Sequence, residues 1–172
     1  MGRYRPPQKP GSKYITLEGF QRLNAELSYL WKNKRPQVTQ AVREAAAQGD
    51  RSENAEYIYG KKQLREIDYR VRFLRKRLDN ITVVDTLPSD TKRVFFGAWV
   101  ELENQHGEIL RYRIVGPDEI DPQRSFISMD SPVAQALMKK SVNDIIVVST
   151  PEGGNEFRVA AVYYDAKKDH DE

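Results

Sequence analysis

Leu64, Ile67, Val71, Leu74, Leu78 and Ile81 recur in steps of three and four. A seam of period 3.5 is satisfied only when a helix packs along its length against another helix. A second stripe precedes it, through Phe20, Leu23, Leu27, Leu30 and Trp31, then Val38, Ala41, Val42 and Ala45. Between the two lies the polar run Gly49-Asp50-Arg51-Ser52-Glu53-Asn54-Ala55-Glu56-Tyr57. The spacing predicts helices over residues 17–48 and about 53–82, folded back as an antiparallel coiled-coil hairpin. Two arms of about 30 residues, rising 1.5 Å each, make a hairpin roughly 45 Å long. Such a hairpin is a poor way to build a core and a good way to carry charge to a distant place.

The pattern has a marked start and two interruptions. Thr16 is a reasonable N-cap, with Glu18 in the first turn where the helix dipole favours an anion. Pro36 removes a hydrogen bond inside the first arm, at a cost of about 3 kcal/mol or more, so a kink is expected there. Gly60 falls inside the second arm and weakens it by roughly 1 kcal/mol.

From residue 83 the period changes to 2. Val83-Val84 opens this half, and Val94 to Leu102 and Ile109 to Val115 flank the hairpin signal Asn104-Gln105-His106-Gly107. Ser125 to Met129 is a further strand. Ser131-Pro132 supplies an N-cap and an N1 proline for a short helix ending near Lys140. Ile145 to Ser149 and Phe157 to Tyr164 are strands joined by the turn Pro151-Glu152-Gly153-Gly154-Asn155. The fold class is therefore α+β, a helical hairpin over 14–82 followed by an antiparallel sheet with one short helix over 83–165. Residues 1–13, rich in proline and basic side chains, read as a disordered extension, and 166–172 as a charged tail.

Composition narrows the function. There is no cysteine, which excludes disulfides and thiolate metal sites, and His106 and His170 are the only histidines. No apolar run approaches the roughly 18 residues needed to span a membrane, and residues 1–13 lack the apolar core of a signal peptide, so a cytoplasmic protein is expected. The net charge of +3 hides an asymmetry. Residues 1–82 carry 18 Lys/Arg against 9 Asp/Glu, while 83–172 carry 10 against 16. The first part suits an anionic partner and the second does not.

Two constellations carry chemistry. Asp50 and Glu53 have the spacing of a capping box, with Asp50 as N-cap and Glu53 at N3. They are also two exposed carboxylates at a hairpin tip, an incomplete Mg²⁺ site that a second macromolecule could complete. Spacing leaves both readings open. On the return arm, Lys61, Arg65, Arg72 and Lys76 fall near one stripe beside the seam, with Lys62 adjacent. This is either a solvated flank, with Glu66 and Asp68 as local partners, or a nucleic-acid surface. The interleaved Tyr57, Tyr59, Tyr69 and Phe73 suit single-stranded nucleic acid, though most of them could equally cover the seam. No nucleophile with a base, P-loop or dinucleotide fingerprint is present.

The tip run resembles that of the bacterial Gre transcript cleavage factors. Lys61-Lys62-Gln63-Leu64-Arg65-Glu66-Ile67-Asp68, Tyr29-Leu30-Trp31 and Arg35-Pro36 resemble the GreB branch in particular. Val94-Phe95-Phe96-Gly97-Ala98-Trp99-Val100, Tyr112-Arg113-Ile114-Val115-Gly116 and Ser131-Pro132-Val133-Ala134 match the second domain. Gly60 departs from the pattern by replacing a usually larger residue.

The resemblance implies a factor that is not itself an enzyme. The hairpin would enter the secondary channel of bacterial RNA polymerase, and an FKBP-like sheet domain would anchor it on the β′ rim. Asp50 and Glu53 would help hold a Mg²⁺ shared with the polymerase, with no cofactor bound by the chain alone. The polymerase would then hydrolyse the 3′ end of backtracked RNA. Arg51, Ser52, Asn54 and Tyr57 would shape the tip. Lys61, Lys62, Arg65, Arg72 and Lys76 would guide RNA. A monomer is expected, because the hairpin seams satisfy each other within one chain. The rivals are a channel-binding inhibitor, and an isomerase or chaperone confined to residues 83–172.

Overall fold

The computed structural model describes residues 11–49, 53–150 and 153–164. The chain divides into two compact units: residues 18–81, and a second unit formed by what precedes and follows them.

The first unit is the helical hairpin. Helix α1 (Leu17–Tyr29) runs through a π-helical segment, Leu30–Lys34, into α2 (Arg35–Ala47), and α3 (Ala55–Asp79) returns. The π segment is how the arm accommodates Pro36. The Arg35 amide reaches back five residues to the Leu30 carbonyl, and Pro36 then occupies the first turn of α2. The kink expected from Pro36 is thus expressed as a change of helical pitch just ahead of it. Val38, Ile67 and Val71 form the buried centre of the seam, flanked by Leu27, Leu30, Val42 and Leu64. Asp68 pairs with Arg35 at 2.7 Å and Glu26 binds Arg70 at 2.6 and 2.8 Å, so both acids bridge the arms. Asp68 is therefore spent on the first arm and does not neutralise the basic stripe of its own helix. Its hydrogen bond and charge raise the Arg35 pKa still further.

Gly60 is buried. A Cβ there would lie 2.6 Å from Val42 Cγ2, so a side chain at this position would collide with that methyl group. Beside its cost in helix propensity, Gly60 lets α3 lie against Val42 of α2.

The second unit contains a five-stranded sheet in the order β5-β4-β3-β7-β6, from β3 (Trp99–Asn104), β4 (Ile109–Val115), β5 (Phe126–Ser128), β6 (Ile145–Thr150) and β7 (Gly153–Tyr163). Val100, Leu102, Ile114, Ile146, Val148 and Val159 build its buried face with Ala134 and Leu137 of α4 (Pro132–Leu137). Ser131 caps α4 by accepting from the Ala134 amide at 3.2 Å, with Pro132 at its start, as the sequence indicates. The β3–β4 turn forms where expected. Gly107 has a φ of +78°, and the Asn104 side chain accepts from the His106 and Glu108 amides.

Two pairings differ from the antiparallel expectation. Strand β5 lies parallel to β4, so the sheet is mixed. Strand β2 (Thr82–Val84) does not open this sheet but pairs in parallel with β1 (Tyr14–Thr16) in a separate two-stranded sheet. A three-residue strand leaves too short a pattern to read. Residues 94–98 are likewise not a strand; Val94 hydrogen-bonds Lys139 and Lys140 in a local bridge.

A buried carboxylate fastens β1 to this unit. Glu119 is 2% exposed and accepts from the Thr16 amide at 3.0 Å, the Gly116 amide at 2.9 Å and the Thr16 hydroxyl. A Cβ on Gly116 would sit 2.1 Å from the Tyr14 carbonyl oxygen, so only glycine admits the strand. Among the described residues no helix is long and apolar enough to cross a membrane.

Candidate functional site

The turn of the hairpin is built by Asn54. Its backbone is extended, and its side-chain Oδ1 accepts from the Tyr57 amide at 3.1 Å, making it the N-cap of α3. The other end of the same carboxamide donates to the Ala45 carbonyl at 2.7 Å. That carbonyl belongs to the last turn of α2, where it lacks the usual donor four residues on and takes the Gln48 amide instead. On the far side of the turn, Gln48 terminates α2 and Gly49 takes a φ of +140°.

This geometry corrects the capping-box reading. The start of α3 is at Ala55, so Asp50 and Glu53 are not the N-cap and third residue of that helix. Glu53 immediately precedes the cap, and its side chain is exposed. The capping asparagine was legible as an N-cap residue type, but Asp-x-x-Glu upstream offered the stronger pattern and drew the assignment away. Asp50, Arg51 and Ser52 lie outside the described residues. Tyr57 is half-buried in the first turn of α3.

Lys61, Lys62, Arg65, Arg72 and Lys76 all lie on α3 and are all exposed. At about 100° per residue, Lys61, Arg65, Arg72 and Lys76 span an arc of roughly 60°. The buried Gly60, Ile67, Val71 and Leu74 occupy a different face. Among the described residues no ion pair engages any of the five. Tyr69, 68% exposed, lies on the same flank, so this aromatic is not spent on the seam. Nearby, Trp31 of the π segment is covered by Arg75 at 4.4 Å and Arg35 at 5.3 Å from its ring centre. By spacing Trp31 falls in the apolar stripe, whereas its ring serves as a seat for two guanidinium groups.

Chemically, the tip offers oxygen ligands without a complete site. Among the described residues no three His, Asp or Glu side chains gather in a metal-holding group. An exposed carboxylate such as Glu53 fits a hard cation like Mg²⁺, provided most of the remaining ligands come from elsewhere.

A capped helical hairpin with an exposed carboxylate at its turn and a cationic flank, followed by a mixed sheet, is the architecture of this chain. The family model "Transcription elongation factor, N-terminal" matches residues 13–83, and "Transcription elongation factor, GreA/GreB, C-term" matches 89–164. The chain belongs to the GreA/GreB family of transcription elongation factors. It is 60% identical over 164 residues to transcription elongation factor GreB of Pseudomonas aeruginosa, covering 95% of this chain and 98% of that one. It is also 60% identical over 156 residues to GreB of Haemophilus ducreyi, covering 91% and 96%. Among solved structures, GreA factor homolog 1 of Thermus thermophilus matches at 26% identity with a TM-score of 0.40, covering 87% of this chain and 97% of that one.

Proposed function

We propose that this chain works on RNA polymerase by carrying the hairpin tip into the secondary channel, where it stimulates the polymerase's own cleavage of backtracked RNA 3′ ends. The observation that carries this reading is the exposed Glu53 at the hairpin turn, released from capping by Asn54. A carboxylate with no structural task among the described residues, at the tip of a hairpin, is available to a partner's active site.

Asp50 and Glu53 would be the ligands offered to a Mg²⁺ shared with the polymerase. When bound, that ion would polarise the scissile phosphate and lower the pKa of the attacking water. The chain's own contribution is to place carboxylate oxygens there and to bring positive charge alongside the extruded RNA. Lys61, Lys62, Arg65, Arg72 and Lys76 supply that charge, and the exposed Tyr69 adds a surface on which a base can stack. Arg51, Ser52, Asn54 and Tyr57 would shape the tip. The sheet unit would anchor the factor on the β′ rim, with the chain acting as a monomer in the cytoplasm. The chain itself performs no bond cleavage in this scheme.

The test uses a stalled, backtracked polymerase with label near the RNA 3′ end. Wild type should release 3′ fragments, while Asp50→Asn and Glu53→Gln should bind normally and lose cleavage by about a hundredfold or more, as when an electrostatic group is removed from a transition state. Equal cleavage by all three overturns metal positioning by the tip. Binding that slows synthesis without cleavage, even by wild type, favours the inhibitor.

A further inference from the structure

We infer that Asn54 is a positioning residue for Glu53, acting through the tie between the two arms rather than by touching RNA. The inference rests on the reading of the tip given above. Both halves of its carboxamide are engaged within the protein: Oδ1 accepts from the Tyr57 amide at 3.1 Å and Nδ2 donates to the Ala45 carbonyl at 2.7 Å. Its backbone carbonyl accepts from the Ile58 amide at 3.0 Å. One N–H and one lone pair of the carboxamide stay open, but the two bonds already made fix its plane between the arms.

The tie joins α2 to α3. Ala45 is buried in the seam and its carbonyl also accepts from the Gln48 amide at 3.2 Å. The turn between the helices is thus held at its base, one residue beyond Glu53. A capping requirement alone would be met by Asp, Ser or Thr. None of these supplies a donor at the position of Nδ2. Asp would set a carboxylate against the Ala45 carbonyl, and Ser is too short to reach it. Only a residue carrying an acceptor and a donor on one short planar group closes α2 and caps α3 together. The backbone of residue 54 then has one orientation relative to both helices, and so does the residue before it.

Asn54→Ser and Asn54→Asp both keep the cap and lose the cross-arm bond. Circular dichroism should show wild-type helix content for both, and competition binding should give wild-type affinity for the backtracked complex. At saturating factor, cleavage should fall about tenfold, because misplacing a reacting group by an ångström is costly. The Mg²⁺ concentration for half-maximal cleavage should rise severalfold, and added Mg²⁺ should recover part of the loss. A purely structural role would lower helix content or affinity and leave the Mg²⁺ midpoint unmoved; that result overturns the inference. Glu53→Gln is run in parallel. If it abolishes cleavage while both Asn54 variants match wild type, the inference fails and the tip reading stands. If Glu53→Gln is itself silent, the tip reading fails and the inference falls with it.

Discussion

Gly60 shows how far a single residue's propensity can mislead. Helix propensity alone says that alanine should stabilise this position by roughly 1 kcal/mol. The 2.6 Å approach of a Cβ to Val42 Cγ2 says the opposite. Valine in a helix is nearly confined to one rotamer, so its methyl cannot swing aside. Overpacking costs about 1–3 kcal/mol, which outweighs the propensity gain. Gly60→Ala should therefore lower the midpoint of thermal unfolding, and Gly60→Ala with Val42→Ala should recover more than the two single effects predict. Simple additivity in that double-mutant cycle would mean that the two residues do not meet.

Among the elements, the short strand β1 depends most on one side chain. Glu119 satisfies three donors in a buried place, two of them on Thr16. Glu119→Ala would leave those donors unpaired at about 1–3 kcal/mol each, softened where the Thr16 hydroxyl finds another partner. A destabilisation of about 3 kcal/mol in denaturant unfolding is expected, and one under about 1 kcal/mol would mean that water replaces the carboxylate. The elements divide cleanly into those the sequence reveals and those it hides. The long seams, the β3–β4 turn and the Ser131-Pro132 helix start were legible, because each rests on a local period or on turn chemistry. Strands β1 and β2 were not, since three residues cannot display a period and their partners lie far apart along the chain. The parallel β4–β5 pair escaped for the same reason: pairing direction is a tertiary property. At the tip, the carboxylates were visible, but which residue caps α3 depends on where the helix starts, the feature that spacing locates least well.

At the scale of the whole molecule, charge is separated along the chain, with the excess of cations in residues 1–82. The exposed stripe on α3 should make association with the backtracked complex salt-sensitive. Replacing Arg72 and Lys76 together by alanine should reduce the slope of log affinity against log salt by about one for each phosphate no longer neutralised. The maximal cleavage rate at saturating factor should change less than the affinity. An unchanged slope would assign these residues to solvent.

The parallel pairing of β1 with β2 has a further meaning for the chain's architecture. Parallel neighbours need a long crossover, and here the whole hairpin, residues 18–81, is that crossover. The sheet unit is thus written in two separated stretches, with the hairpin inserted between them like a cassette. A fragment beginning at residue 83 would lack β1 and leave the Glu119 carboxylate without its Thr16 donors. A cut that keeps the sheet unit whole therefore falls at the two ends of the insertion, and a different hairpin grafted there should leave the sheet folded.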